Sequence, residues 1–269
     1  MSWAAHDVEP YVIKPHLRRL EAKLGFAISF MAILIGSWAP DMMTKWFVYG
    51  ISIGPWGFRA DNPAEFHRGW PGVGFMHSLA WGVVVGVVVW LIFRKKRWAK
   101  SWAIGLMVGI WAHVLSDTLD SNGVQLFFPL TTERVHFDAW AYAGETGRYV
   151  DGAAYFSSLG FVWDGFWIGM VLLNWRVLKN DYFQEHIRPE AFFVFLNHRL
   201  HIPDAALVVL YRGAFFYGVC RWCAWLIWTH VTHDNSFDLS WGGPSWVPPF
   251  ETLLVFFGAG SGCPCGMPH

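Results

Sequence analysis

The stretch GWPGVGFMHSLAWGVVVGVVVWLIF at residues 69–93 runs directly into RKKRWAK at residues 94–100. The first segment has His77 as its single ionisable residue, and it reaches the roughly 20 apolar residues needed to cross the hydrocarbon core of a bilayer. The second segment carries five positive charges in seven residues, and loops of this kind stay in the cytoplasm. Together they predict a transmembrane helix that ends on the cytoplasmic side.

Four other runs have the same apolar character, at residues 24–40, 101–116, 153–175 and 205–229. The whole chain of 269 residues is 54% hydrophobic and only 15% charged, whereas soluble domains carry about 25% charged residues. This composition excludes a disordered chain, which needs low hydrophobicity and high charge. We therefore predict an all-α integral membrane protein with about five transmembrane helices, irregular extracytoplasmic loops and an irregular C-terminal tail.

The charged loops also predict how the chain is divided and oriented. Basic residues precede the first run and follow the fourth, so these positions are expected in the cytoplasm as well. We predict a cytoplasmic N-terminal segment at residues 1–23, a helical membrane domain at residues 24–233, and an extracytoplasmic tail at residues 234–269. Because the net charge is zero and no basic stripe is present, nucleic acid is excluded as a partner and the lipid bilayer is expected instead.

Six polar residues converge on the outer face of the predicted bundle. They are Asp41, His67, His77, His113, Asp117 and Asp120. His113 and Asp117 are four residues apart, so they share one helix face. Neutral imidazole and ionised carboxylate groups both bind divalent cations of the zinc or manganese class. Helix ends at the water interface would explain any one of these residues, but six on one face favour a metal site.

Several short motifs follow one another in the first half of the chain. They are Pro40-Asp41, His67-Arg68-Gly69, His77-Ser78, His113-x-x-x-Asp117, Gly123 and the stretch from Leu126 to Pro129. In their order and placement these motifs resemble the bacterial membrane-bound metal-dependent hydrolase family, the YdjM-like inner-membrane proteins, over roughly residues 24–131. Combined with the loop charges, the resemblance implies a multi-pass protein of the bacterial inner membrane, with a cytoplasmic N-terminus and an extracytoplasmic C-terminus.

The resemblance also implies roles for the converging residues. The implied metal ligands are His67, His77, His113 and Asp117. Asp41 or Asp120 would complete the coordination of the metal or act as the base, and Arg68 would steady an anionic group. The implied activity is the hydrolysis of a lipid or phosphate ester at the outer membrane–water interface, assisted by the bound metal.

Two departures from the family pattern favour an alternative function. Met43 stands where family members usually carry a second acid, and the loop at residues 69–76 is longer than theirs. With 19 Trp residues in the chain, these departures favour a non-catalytic accessory subunit that stabilises a respiratory or photosynthetic complex by contacting other membrane subunits or pigment proteins. A third hypothesis, a transporter, depends on Asp164 in the fourth run, which we expect to pair with Arg212 or Arg221.

Overall fold

The computed structural model describes the chain except for its ends, a few isolated positions and a stretch near residue 150. The described residues are 3–58, 60–137, 139–140, 142, 152, 155–156 and 159–232. The tail predicted at residues 234–269 lies outside these ranges, so its irregular character stays a prediction.

Helices make up most of the described chain, which confirms the all-α prediction. The described α-helices are α1 (Ala5–His16), α2 (Arg18–Leu24), α3 (Phe30–Tyr49), α4 (Pro63–Arg68), α5 (Leu79–Phe93), α6 (Ala99–Asp117), α7 (Leu159–Leu173), α8 (Asn180–Tyr182), α9 (Ala191–Leu200) and α10 (Asp204–Thr232). Shorter elements are 3-10 segments at Gly74–His77 and Trp175–Leu178, a π-helical segment at Phe183–Ile187, and an antiparallel hairpin of β1 (Ile51–Ile53) and β2 (Trp56–Phe58).

Within the described ranges, no helix combines the length and the apolar character that crossing a membrane requires. Two predicted spans contain helices shorter than the apolar runs. The run at residues 69–93 becomes α-helical only after Ser78, whose backbone is extended and whose side chain accepts the N–H of Trp81 as an N-cap. As a result α5 has 15 residues, and α7 in the fourth run also has 15.

The pair of helices α3 and α6 forms the centre of the bundle, and glycines set the distance between them. Gly36 on α3 lies against Gly109 on α6, and a Cβ atom at Gly109 would collide with the carbonyl oxygen of Ile33. Small residues of this kind let two helix backbones approach closely. The close approach brings the C-terminal halves of both helices, which carry Asp41 and His113, to the same place.

Helix α1 packs against α3, α7 and α10, and the residues of its first two turns are buried. Asp164 on α7 fixes its start, because the carboxylate accepts the N–H of Ala5 at 2.7 Å and that of Trp3 at 3.3 Å. The N–H groups at the start of a helix have no partner within the helix, so an acid placed there stabilises it. The sequence predicted that the helical domain begins at residue 24, whereas α1, at residues 5–16, already packs within the bundle.

The arginines of α10 have partners other than the expected one. Arg221 Nη2 lies 2.8 Å from the carboxylate of Asp7 on α1. Arg212 donates from Nε to the carbonyl of Leu178 at 2.7 Å. The expected ion pair of Asp164 with Arg212 or Arg221 is therefore wrong. The backbone N–H groups of Trp3, just before α1, and of Ala5, at its start, donate hydrogen bonds to Asp164 instead.

A buried polar cluster lies at the start of α3. The carboxylate of Glu190, just before α9, accepts the N–H of Phe30 at 2.8–2.9 Å and the hydroxyl of Ser29 at 3.2 Å. Lys14 on α1 lies 3.2 Å from the same carboxylate and 2.7 Å from Glu21. Glu190 thus joins the N-terminal end of α3 to α1 and to the segment before α9.

Candidate metal centre

Four elements and one loop bring polar side chains to a single buried place. The residues are Asp41 on α3, His67 and Arg68 on α4, His77 in the first 3-10 segment, His113 and Asp117 on α6, and Asp120 in the loop after α6. All of these side chains are buried. The structure thus brings together every residue that the sequence analysis assigned to the site.

Capping residues explain where two of the histidines lie. Asn62 accepts the N–H of Glu65 at 3.1 Å and starts α4, which is only six residues long, so that His67 falls in its last turn. Ser78 starts α5 in the same way, and His77 directly precedes it. Both imidazoles therefore lie at helix ends that are fixed by hydrogen bonds.

Three imidazole nitrogens surround one carboxylate oxygen of Asp41. The Oδ1 atom of Asp41 lies 3.5 Å from Nε2 of His67, 3.7 Å from Nε2 of His77 and 3.8 Å from Nε2 of His113. None of these four atoms has a hydrogen-bond partner among the described residues. Buried polar atoms without partners lower the free energy of unfolding. The lone pairs of these four atoms could bind a cation.

The chemistry and spacing of these atoms fit a divalent metal ion. One ligand atom from each of Asp41, His77, His113 and Asp117 can be chosen so that all four lie within 4.8 Å of one another. In a tetrahedral zinc site with bonds of about 2.0–2.1 Å, ligand atoms lie about 3.3–3.4 Å apart. The Asp41 distances to His77 and His113 exceed this by a few tenths of an ångström, and His113 Nε2 lies 3.1 Å from Asp117 Oδ2.

The hydrogen bond of His113 fixes which of its nitrogens can bind a metal. Its Nδ1 atom lies 2.7 Å from the carbonyl oxygen of Ser37. A carbonyl oxygen can only accept, so Nδ1 carries the proton and Nε2 presents its lone pair to the cluster. Metal-ligating histidines commonly use their second nitrogen in this way. The Ser37–His113 contact is a consequence of the close packing of α3 and α6.

The charges around Asp41 and His67 also suit a metal site. Burial by itself would raise the pKa of Asp41, but the positive charge of Lys45 holds it well below its usual range. Burial, together with the positive charge of Arg68, lowers the pKa of His67 to about 4, although Asp41 acts in the opposite direction. At neutral pH the carboxylate is therefore ionised and this imidazole is neutral, as metal coordination requires.

Comparison with known families identifies the kind of protein that carries this cluster. Residues 12–183 match the sequence profile of the YdjM inner membrane protein family. The chain belongs to the YdjM inner membrane protein family. This confirms the resemblance inferred from the motifs, and the match extends beyond residue 131 into the second half of the chain. No curated protein and no solved structure matches the chain.

In this YdjM family member, Arg68 and Asp120 make contacts within the protein. Arg68 Nη2 lies 2.5 Å from Asp117 Oδ2 and 3.6 Å from Asp120 Oδ2. Asp120 Oδ1 accepts the N–H groups of Asn122 at 3.1 Å and Gly123 at 2.8 Å. Arg68 therefore neutralises carboxylates of the chain, and Asp120 holds the loop after α6. The roles of anion binding and base stay predictions for these two residues.

Two buried residues beside the cluster were missed by the sequence analysis. His6 and Glu9 lie on α1, which was predicted as part of a separate polar segment. The His6 ring stacks on the His113 ring with centroids 3.9 Å apart. The signal that could have identified them is their spacing of three residues, with Ala5 and Val8 beside them, which is typical of one buried helix face. Both residues precede the range that matches the YdjM family.

Proposed function

We propose that the chain is a metal-dependent hydrolase of the inner membrane. The observation that carries the proposal is the arrangement of three imidazole nitrogens within 3.8 Å of one carboxylate oxygen of Asp41. Buried histidines and carboxylates in this number are costly unless a cation binds them. Membership of the YdjM inner membrane protein family supports the membrane location.

The residues have distinct parts in this proposal. His77, His113, Asp41 and Asp117 would hold the ion, and His67 would be a further ligand beside Asp41. A bound zinc or manganese ion would polarise an ester or phosphoryl oxygen and lower the pKa of a water molecule. Arg68 keeps Asp117 ionised and correctly placed through the contact at 2.5 Å.

Lys45 suggests how a substrate approaches the cluster. It pairs with Asp41 one helical turn away, and 27% of its side chain is exposed, whereas those of His77 and His113 are fully buried. The Asp41–Lys45 pair is thus where the cluster approaches the surface. An ammonium group at this position favours an anionic substrate, such as a lipid or phosphate ester at the outer membrane–water interface.

Exposed apolar side chains support contact with lipid. On α5 the side chains that face away from the bundle are Val83, Val84, Val87, Val88, Leu91 and Ile92, each between 43% and 67% exposed. A continuous apolar surface of this size is unusual for a soluble monomer. We propose that it faces the bilayer, as expected for the predicted transmembrane bundle, with the basic segment at residues 94–100 in the cytoplasm.

Measurement of bound metal tests the proposed centre. The protein is purified in detergent, and its zinc and manganese are quantified by mass spectrometry. We expect about one ion per chain in the wild type and its loss in His113→Ala and Asp117→Ala. His198→Ala, which removes an exposed histidine on α9, is the matched control and should retain the ion. Unchanged metal content in both site variants would reject the metal centre.

Activity on lipid substrates tests the hydrolase. The metal-loaded protein is incubated with vesicles of phosphatidylglycerol, and the release of fatty acid, phosphate or a phosphorylated headgroup is measured. We expect release by the wild type that is lost in His113→Ala. Metal binding without hydrolysis, together with copurification of the chain in a stable larger complex from native membranes, would instead favour the accessory subunit.

A further inference from the structure

The first two turns of α1 lie directly behind the candidate metal centre. His6 is 3% exposed and Glu9 is fully buried, although both side chains are polar. Neither residue lies in the range that matches the YdjM family, which begins at residue 12. The family match therefore assigns no role to them.

Glu9 contacts both helices that carry the metal ligands. Its carboxylate accepts the hydroxyl of Ser37 on α3 at 2.7 Å and the hydroxyl of Ser116 on α6 at 2.6 Å. Ser37 is also the residue whose carbonyl accepts the Nδ1–H of His113. Ser116 directly precedes Asp117. Each hydroxyl that Glu9 binds thus belongs to a residue next to, or hydrogen-bonded to, a predicted ligand.

His6 contacts the same two ligands through its ring. It stacks on the His113 ring with an interplanar angle of 22°. Its Nε2 atom lies 3.6 Å from Asp117 Oδ1, and its Nδ1 atom lies 3.4 Å from Glu9. His6 therefore connects Glu9 to Oδ1 of Asp117. The other oxygen of that carboxylate, Oδ2, faces His113 and Arg68.

Packing alone does not account for this arrangement. A buried carboxylate costs several kcal/mol unless hydrogen bonds and opposite charge compensate it, and an apolar residue would fill the same space without that cost. Partners that orient metal ligands recur in metal sites, and their removal lowers metal affinity about 10- to 100-fold. The contacts of Glu9 and His6 are of this kind.

We infer that Glu9 and His6 are positioning residues that orient His113 and Asp117 for the metal ion. The inference rests on the metal centre proposed above. It extends that centre to α1, whose start is fixed on α7 by Asp164.

Three variants test the inference. Glu9→Gln keeps the size of the side chain but removes its charge and one of the two oxygens that accept the serine hydroxyls. His6→Phe keeps a ring against His113 and removes Nε2. Asp7→Asn is the matched control, because Asp7 is a buried carboxylate on the same helix turn that contacts Arg221 and Trp38 and is not among the contacts of the predicted ligands.

Zinc affinity and the cobalt(II) absorption spectrum are the readouts. Zinc affinity is measured by competition with a chelating dye, and unfolding of the metal-free protein is followed alongside. We expect about 10- to 100-fold weaker zinc binding in Glu9→Gln and His6→Phe, with altered visible bands of bound cobalt(II). Asp7→Asn should lower the melting temperature of the metal-free protein. Its zinc affinity should stay within twofold of the wild type, and its cobalt(II) spectrum should not change.

The outcomes separate this inference from the proposed function. A wild type that binds no zinc or cobalt rejects the metal centre, and the inference fails with it. Wild-type affinity and an unchanged cobalt spectrum in Glu9→Gln and His6→Phe reject the inference alone. An equal loss of affinity in Asp7→Asn also rejects it, because general destabilisation of α1 would then explain the effect. If Glu9→Gln does not fold, Ser116→Ala replaces it, because this variant removes one hydrogen bond to the Glu9 carboxylate. We expect Ser116→Ala to weaken zinc binding by less than the roughly 10- to 100-fold loss expected for Glu9→Gln, and an unchanged zinc affinity would reject the inference.

Discussion

The carboxylate of Asp164 caps the first turn of α1 by accepting the N–H of Ala5 at 2.7 Å. This contact joins residues that are 159 positions apart in the chain. It fixes the helix that carries His6 and Glu9 to the remainder of the bundle. A buried acid in the middle of an apolar run thus has a structural explanation, and this weakens the case for a transport path based on Asp164.

We predict that Asp164→Ala destabilises the protein by about 2 kcal/mol, because the variant leaves buried N–H groups of Trp3 and Ala5 without their acceptor. The measurement is thermal or denaturant unfolding of the purified protein. Asp164→Asn is the control, since it keeps one acceptor oxygen and should lose less than half as much. Equal losses in the two variants would contradict the capping role.

The close packing of α3 and α6 gives a second prediction. Gly109→Ala introduces a Cβ atom where the carbonyl of Ile33 lies, so the helices must separate. The hydrogen bond from His113 to Ser37 should then lengthen, and we expect at least about tenfold weaker zinc binding together with a lower melting temperature.

Gly169→Ala on α7 is the matched control for this change. A Cβ atom at Gly169 meets nothing within 4 Å, and alanine is about 1 kcal/mol more favourable than glycine inside a helix. Its stability should stay the same or rise, and its zinc affinity should not change. Wild-type affinity in Gly109→Ala would show that the separation of the helices does not control the site.

The convergence of the site residues could be predicted because it depends on local spacing and on the direction of each helix. His113 and Asp117 share a helix face by their spacing of four residues, and alternation of the apolar runs places Asp41 and His77 at the same end. These two regularities need no knowledge of side-chain packing, and the structure brings all four residues together.

Other features depend on contacts between distant parts of the chain and could not be predicted. The pairing of Asp164 with an arginine was predicted from opposite charges alone. The sequence does not show that a carboxylate accepts backbone N–H groups from a distant helix, as Asp164 does. The polar character of residues 1–23 favoured a separate segment, whereas burial of His6 and Glu9 depends on Ser37 and Ser116. The start of α5 at Ser78 was missed for a different reason, because it depends on a local cap from Ser78 to Trp81 that hydropathy does not detect.

Glu190 gives a prediction about pH. Burial raises its pKa to about 7, although Lys14 and the N–H of Phe30 act in the opposite direction. The folded state therefore favours the protonated carboxyl group relative to the unfolded chain. The resulting stability is fully present below about pH 4.5 and is lost as the pH rises through about 7, by at most about 3 kcal/mol.

Unfolding free energies measured from pH 4 to pH 8 test this prediction. We expect the wild type to lose stability over this interval relative to Glu190→Gln, in which the group no longer titrates. The difference between the two proteins should change by about 1 kcal/mol per pH unit between pH 5 and pH 7. Parallel curves would show that Glu190 has the same pKa in the folded and unfolded states.

The contacts of Arg68 predict a coupling between the stability of the fold and the binding of the proposed metal ion. Its guanidinium lies 2.5 Å from Asp117 and 3.6 Å from Asp120, and all three side chains are fully buried. Arg68→Met removes this cation, and we expect the metal-free protein to lose about 3–5 kcal/mol. A bound divalent ion supplies positive charge at Asp117, so zinc should raise the melting temperature more in Arg68→Met than in the wild type.

The matched control for this prediction is Arg134→Met. Arg134 pairs with Glu65 at 2.6 Å, but its side chain is 26% exposed and that of Glu65 is 52% exposed. Exposed ion pairs contribute about 0–1 kcal/mol, so this variant should unfold close to the wild type and respond to zinc in the same way. If zinc raises the melting temperature of Arg68→Met no more than that of Arg134→Met, the positive charge of Arg68 and that of the metal do not act on the same carboxylate.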